Sequence, residues 1–204
     1  MQAAGFQSHE DLHSYYGEQN ARVRKKEMPT IDEYSRRFIE LSPFLVIASA
    51  GPGGADASPR GDAPGFVKVL DDRTLALPDR PGNNRVDTLG NVMENPGVAL
   101  IFLVPGVNET LRVNGRARIT TDPEVLGPLS AKGKLPRSAM IIEVETAFFH
   151  CGKSIIRSKL WAPETQIDRK SFPTLGQIYA GRNEEFEAEE TDRLLKESYE
   201  NTLY

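Results

Sequence analysis

The sequence predicts a mainly β protein, an antiparallel β-barrel with flanking helices. Three observations predict it. About seven strand-like runs follow one another between Phe44 and Thr146, joined by turns and one short helix, which is the rhythm of a barrel rather than of alternating β and α units. Glu109 to Thr121 alternates without a break: Leu111, Val113, Gly115, Ala117 and Ile119 on one face, Arg112, Asn114, Arg116 and Arg118 on the other. Helical periodicity is concentrated near the two ends of the chain.

A chain of 204 residues suits one domain with appendages. The divisions expected are a helical arm over residues 1–29, a barrel domain over 30–165 and a helical extension over 166–204. A formal charge of −4 gives no global pull toward nucleic acid or an anionic membrane. No apolar run approaches the roughly 18 residues of a membrane span. The first ten residues lack the basic start and apolar core of a signal peptide, and the single cysteine, Cys151, excludes an intrachain disulfide. Both fit a cytoplasmic protein. One cysteine with His9, His13 and His150 so dispersed does not make a zinc site.

Each element has its own local reason. The arm carries a basic run, Arg22 to Lys26, read as a solvated helix face. Thr30 with Glu33 suggests a capping box for a helix whose apolar face is Ile31, Tyr34, Phe38 and Leu41. Phe44 to Ala50 is an apolar strand, and Gly51-Pro-Gly-Gly turns it back. In the returning segment Pro59 and Pro64 deny a central sheet position, leaving an edge of small residues that a flat ligand can approach closely, with Ser58 and Arg60 as its hydroxyl and cation. Phe66 to Leu70 alternates as a strand. Asp122-Pro123 starts a short helix over Val125–Leu129, Ala139 to Thr146 is a strand, and Leu175–Ala180 and Glu184–Leu203 are helical. Cys151 is expected to be a buried structural cysteine.

The functional reading centres on Leu75 to Val104. Thr74 to Leu77 ends a strand, and Asp79 to Asn83 is turn chemistry. Asn83 or Asn84 is expected to cap a helix carrying Val86, Leu89, Val92 and Met93, stopped at Asn95-Pro96. Val98 to Val104 follows as a strand covered on both faces. A helix start offers free N–H groups and the positive end of the dipole, and Arg80 and Arg85 flank it. Arginine's planar fork suits a phosphate. By spacing alone the same residues read first as an ordinary solvated turn with two surface arginines.

The ordered motifs Ser58-Pro-Arg-Gly-Asp62, Leu77-Pro-Asp-Arg-Pro-Gly-Asn-Asn-Arg85, Asn95-Pro96, Leu111-Arg-Val-Asn-Gly-Arg-Ala117, His150-Cys-Gly-Lys153 and Arg157-Ser-Lys-Leu-Trp161 resemble the pyridoxamine 5′-phosphate oxidase-related family of FMN-binding split barrels, in particular its bacterial FMN-binding subgroup. The resemblance implies a six-stranded antiparallel split barrel and a homodimer with FMN at each subunit interface. It implies that Arg80, Asn83, Asn84 and Arg85 meet the flavin phosphate, and that Ser58, Arg60, Pro78 and Asp79 line the ribityl chain and ring edge. Arg112 would face the neighbouring subunit's flavin, and Lys153, Arg157, Ser158 and Trp161 would close the site from the second subunit. The implied chemistry is FMN-dependent oxidoreduction of a small substrate. Storage or sensing of flavin, a deazaflavin (F420) in place of FMN, and haem ligated by His150 are the other readings. The founding oxidase's C-terminal arginine and histidine motif is not evident after Trp161.

Overall fold

The computed structural model describes residues 5–17 and 25–204. Its centre is one antiparallel sheet of β1 (Phe44–Gly51), β2 (Gly54–Gly61), β3 (Lys68–Val69), β4 (Thr74–Asp79), β5 (Gly97–Leu103), β6 (Thr110–Thr120) and β7 (Ser138–His150). The order across the sheet is β2-β1-β5-β6-β7-β4-β3. Six strands have substantial length, and the two-residue β3 is an edge remnant.

β2 and β3 are opposite edges of this sheet, yet only residues 62–67 join them. A flat seven-stranded sheet is about 29 Å wide at its usual strand spacing. A fully extended link of that length reaches about 25 Å. This link is not extended, because it turns through Asp62 N–H to the Pro43 carbonyl at 3.0 Å and Phe66 N–H to the Ala63 carbonyl at 3.2 Å. The sheet therefore has to curl. It does not close, since β2 and β3 do not pair.

The curl wraps one core. Leu45 and Ile47 from β1, Leu100 and Phe102 from β5, Leu111 and Val113 from β6, Met140 and Ile142 from β7, and Leu75 and Leu77 from β4 all point inward and are fully or almost fully buried. Each contributes about 1.5–3 kcal/mol of burial. Phe66 and Val67 of the link belong to the same core. A smaller cluster on another face of the sheet joins Ala76, Ala139 and Ile141 to Leu126 and Leu129 of α4 (Pro123–Leu126) and the 3-10 turn after it. Of α1 (His9–Tyr16), no residue is buried.

Several local expectations shift. The helix over residues 33–41, α2 (Glu33–Leu41), is capped by Asp32, whose side chain accepts from Ser35 N–H at 2.7 Å, and not by Thr30. Its buried face is Ser35, Phe38 and Ile39, while Tyr34 is 69% exposed, because the sheet meets the helix one residue further round. The strand predicted over Phe66–Leu70 shortens to β3, since Phe66 and Val67 are used as core plugs. β5 is covered on one face only, with Ile101 39% exposed. β7 runs past Thr146 to His150, paired to β6 throughout, and leaves Cys151 exposed at its end rather than buried. The last helix is α7 (Ala188–Asn201), shorter than Glu184–Leu203, while α6 (Leu175–Ala180) matches. The basic residues Arg22 to Arg24 lie outside the described residues.

A β-bulge between Asn114 and Gly115 shifts the β6–β7 register and bends the sheet. A Cβ at Gly115 would run into the Glu143 backbone carbonyl, which cannot move without breaking the ladder. Gly115→Ala is therefore expected to cost about 1–3 kcal/mol, read as a lower urea midpoint with an unchanged slope.

Candidate functional site

Between β2 and the end of β4, where the sheet stays open, lies a cavity of about 530 Å³. One wall is the inward face of β2. Ser58 and Arg60 lie opposite Ile47 and Leu45 in register, so they share the core's side of the sheet but sit beyond its apolar part. The other wall is the end of β4, where Pro78 and Asp79 follow the buried Leu77. The rim is the segment from Arg80 to Val86, and the floor includes Thr88 and Leu89 of α3 (Asp87–Glu94). α3 is locked onto β1 by Asn91, which donates to Ser49 Oγ at 3.0 Å.

The start of α3 differs from the sequence expectation. The cap position is Val86, not Asn83 or Asn84, and no side chain caps the helix. Val86 sits in the left-handed region at φ 53° and ψ 20°. For a β-branched residue that is a true outlier, and such strain costs on the order of 1–3 kcal/mol. Asn84 is also left-handed, at φ 57°, which asparagine tolerates well. The Asn83 side chain is spent on the Arg85 N–H, at 3.1 Å. Among the described residues, the N–H groups of Asp87, Thr88 and Leu89 have no partner, and all three residues line the cavity. They are the usual orphan donors of a helix start, here left without a cap.

Four arginines line the cavity, Arg60, Arg80, Arg85 and Arg137, against three aspartates, Asp56, Asp79 and Asp87. Arg60 donates to Ser58 Oγ and to the Pro59 carbonyl, the latter at 2.9 Å. Burial lowers its pKa against the opposing pull of Asp79 and Asp56. Burial likewise raises the Asp79 carboxyl, with Arg60 and Arg137 restraining it. Arg85 pairs with Asp87 at 2.8 Å on an exposed rim. Arg80 pairs through Nε with Asp62 at 2.6 Å. Arg137 donates to Asn84 Oδ1 at 3.1 Å and so braces the rim from the loop just before β7.

Eight of the sequence-predicted residues meet in this one cavity: Ser58, Arg60, Pro78, Asp79, Arg80, Asn83, Asn84 and Arg85. Five do not. Arg112 lies on the outer face of the sheet, its guanidinium 5.2 Å from the Phe148 ring centre. Lys153, Arg157 and Ser158 are on α5 (Lys153–Ser158), where Arg157 and Ser158 bond back to helix carbonyls. The Trp161 indole N–H donates to the Val107 carbonyl at 2.8 Å. His150 does not line the cavity either. Arg137 was missed as a site residue. It reads as one of several loop cations, and only the pairing of β7 with β4 brings it to the rim.

The family model described as pyridoxamine 5′-phosphate oxidase matches residues 31–151, more than half of the chain. The chain belongs to the pyridoxamine 5′-phosphate oxidase family. Solved structures with a similar fold include a HupZ protein of Group A Streptococcus, 18% identical over 59% of this chain and 99% of that one, with a TM-score of 0.49. A Clostridium acetobutylicum protein related to general stress protein 26 is 14% identical over 58% and 86%, with a TM-score of 0.41. An FMN-binding protein of Syntrophomonas wolfei is 9% identical over 56% and 86%, with a TM-score of 0.42. Among curated proteins none matches the sequence. Every residue lining the cavity falls inside the segment matched to the oxidase family, whereas α5, α6 and α7 fall outside it.

Asp62, at the cavity's edge, has a measurable signature. Burial pushes its pKa up, but donors from Tyr204 Oη, Ala63 N–H and Arg80 outweigh that and leave it below the usual carboxylate value. A depressed carboxyl adds stability above its unfolded pKa of about 3.9 and loses it as pH falls through the folded value. Asp62→Asn is expected to lower the urea midpoint at pH 7, and the gap from wild type is expected to narrow below about pH 4.

Proposed function

We propose that the chain is an FMN-dependent oxidoreductase acting on a small substrate, with the flavin phosphate held at the rim between β4 and α3. The carrying observation is the uncapped helix start: three partnerless N–H groups, at a strained residue, beside four arginines in one cavity. Strain at an unpaired anion-type site is what a ligand-organised loop retains. The donor set fits the group. A phosphate dianion needs charge-assisted donors, which Arg85, Arg137 and the terminal nitrogens of Arg80 supply, and Ser58 with Arg60 offers polar contacts along the β2 wall. A volume of about 530 Å³ is within the range of cofactor pockets.

When bound, FMN would supply hydride or electron transfer. The chain's residues would hold it, shield it and place cations beside it. Asp79, raised by burial and restrained by Arg60, is the titratable group on the ring side of the proposed pose.

The assembly belongs to the same proposal. Pro59, Val46, Ile101, Arg112 and Phe148 form one row across the outer face of the sheet. Buried in that face are Arg112 Nε and Asn114 Oδ1, neither with a partner among the described residues. A second copy laid on this face would cover the apolar row and the Arg112 guanidinium beside it. In that homodimer Arg112 would meet the neighbour's flavin, with Lys153, Arg157, Ser158 and Trp161 closing the site from the second subunit.

A second reading, flavin storage or sensing without turnover, is favoured by one observation. Among the described residues, no histidine, cysteine, lysine or glutamate lines the cavity. Reduction separates the two readings. The oxidoreductase is expected to bleach near 450 nm with NADH or NADPH and to recolour in air; persistent yellow with either nucleotide favours storage. The same spectrum separates FMN from F420 and haem by the position of the absorption maximum.

Arg85→Ala and Arg137→Ala are each expected to weaken FMN binding by about 1.5–3 kcal/mol, the scale of a charged hydrogen bond, in a fluorescence-quenching titration. Unchanged affinity in both removes the phosphate from this rim.

A further inference from the structure

We infer that Tyr204, in the C-terminal segment, is a positioning residue of the anion pocket: it pins Asp62 so that Arg80 keeps its two terminal nitrogens for the ligand. This deepens the phosphate reading above and rests on it.

The argument begins at Asp62, whose side chain is 3% exposed. Its Oδ1 accepts from the Tyr204 hydroxyl at 2.6 Å and from Ala63 N–H at 2.7 Å. Its Oδ2 accepts from Arg80 Nε at 2.6 Å. A carboxylate with both oxygens free takes a guanidinium as a two-pronged pair, through parallel bonds. With Oδ1 already doubly engaged, Arg80 is held through Nε alone. Its Nη1 and Nη2 have no hydrogen-bond partner among the described residues, although the side chain is only 16% exposed and lines the cavity. A guanidinium restrained at its root with two terminal donors to spare is preorganised for a phosphate.

Tyr204 is itself held. Its carbonyl accepts from Lys134 Nζ at 2.7 Å, and the Lys132 ammonium lies 4.5 Å from its ring centre. The Arg80 guanidinium is 5.9 Å from the same ring. Lys132 and Gly133 are both left-handed, at φ 50° and 75°, in a tight turn closed by Ala131 and Lys134. That turn presents both lysines to the tail. The hydrogen bond to Asp62 raises the Tyr204 pKa, so the hydroxyl stays protonated as a donor at neutral pH. The tail beyond α7 thus reaches back to the barrel and completes a chain of contacts from Lys134 to Tyr204 to Asp62 to Arg80.

The test compares FMN with riboflavin, which lacks the phosphate, on the full chain and on Tyr204→Phe. The substitution removes one hydroxyl and keeps the ring. The expected result is a rise in the FMN dissociation constant of roughly 3–10-fold, less than the full worth of a charged hydrogen bond because Tyr204 acts through Asp62 and Arg80, with riboflavin affinity unchanged. In an Arg80→Ala background the substitution is expected to have no further effect. Equal loss for both flavins, no loss for FMN, or a full effect without Arg80 overturns the inference. Wild-type protein that binds neither flavin overturns the cofactor reading itself, a different result. If Tyr204→Phe does not fold, Lys134→Ala loosens the tail outside the cavity and is read by the same FMN-to-riboflavin ratio.

Discussion

A link of six residues, 62–67, constrains the rest of the molecule. It joins the two outermost strands of a seven-stranded sheet and is too short to cross that sheet laid flat. The sheet must roll up around Leu45, Leu75, Phe102 and Leu111, and the link's own Phe66 and Val67 become part of what it rolls around. Because β3 is only two residues long, the roll stops short of pairing. What remains is a polar slot beside an apolar core. The link also carries Asp62, which ties the slot's rim to the end of the chain. Topology and electrostatics therefore meet in one short segment.

The slot is built from mutual restraint rather than from one dominant charge. Each of its arginines is held by something: Arg60 by Ser58 and a carbonyl, Arg80 by Asp62, Arg85 by Asp87, Arg137 by Asn84. Pairing keeps the cations from repelling one another and from collapsing onto the core. It also places them where spare donors can turn outward. Burial shifts Arg60 and Asp79 in opposite senses toward their neutral forms, which marks the part of the slot where the β2 wall faces the end of β4 as its drier part.

Much of this was legible from residue order. Unbroken alternation identified β6, and two prolines with small neighbours marked the β2 segment as an edge; both stand in the structure. The strand–turn–helix around Arg80 was read correctly as a unit, because turn residues and the Asn95-Pro96 stop are local signals. The cap was not. No local rule places valine in a left-handed cap, since its cost is borne by contacts elsewhere in the fold. Thr30 lost to Asp32 because an aspartate just before the helix offers the same oxygen with better reach. β7 outran its expected end because pairing with β6 carries Phe148 and Phe149 along. Arg137 and Tyr204 were invisible as site residues for a common reason: each reaches the rim across more than fifty positions of chain.

β2 has a further consequence. It is a free border of the sheet, and such borders invite a stray chain to add itself as another strand. Here the border carries Pro59 and Arg60 toward its C-terminal end, and its other residues are glycine, alanine, serine and aspartate. Nothing along it offers the sticky, bulky, uncharged stretch that fibril growth needs. The molecule can keep one side of its wall permanently unzipped, open to a small guest, without recruiting its own misfolded copies.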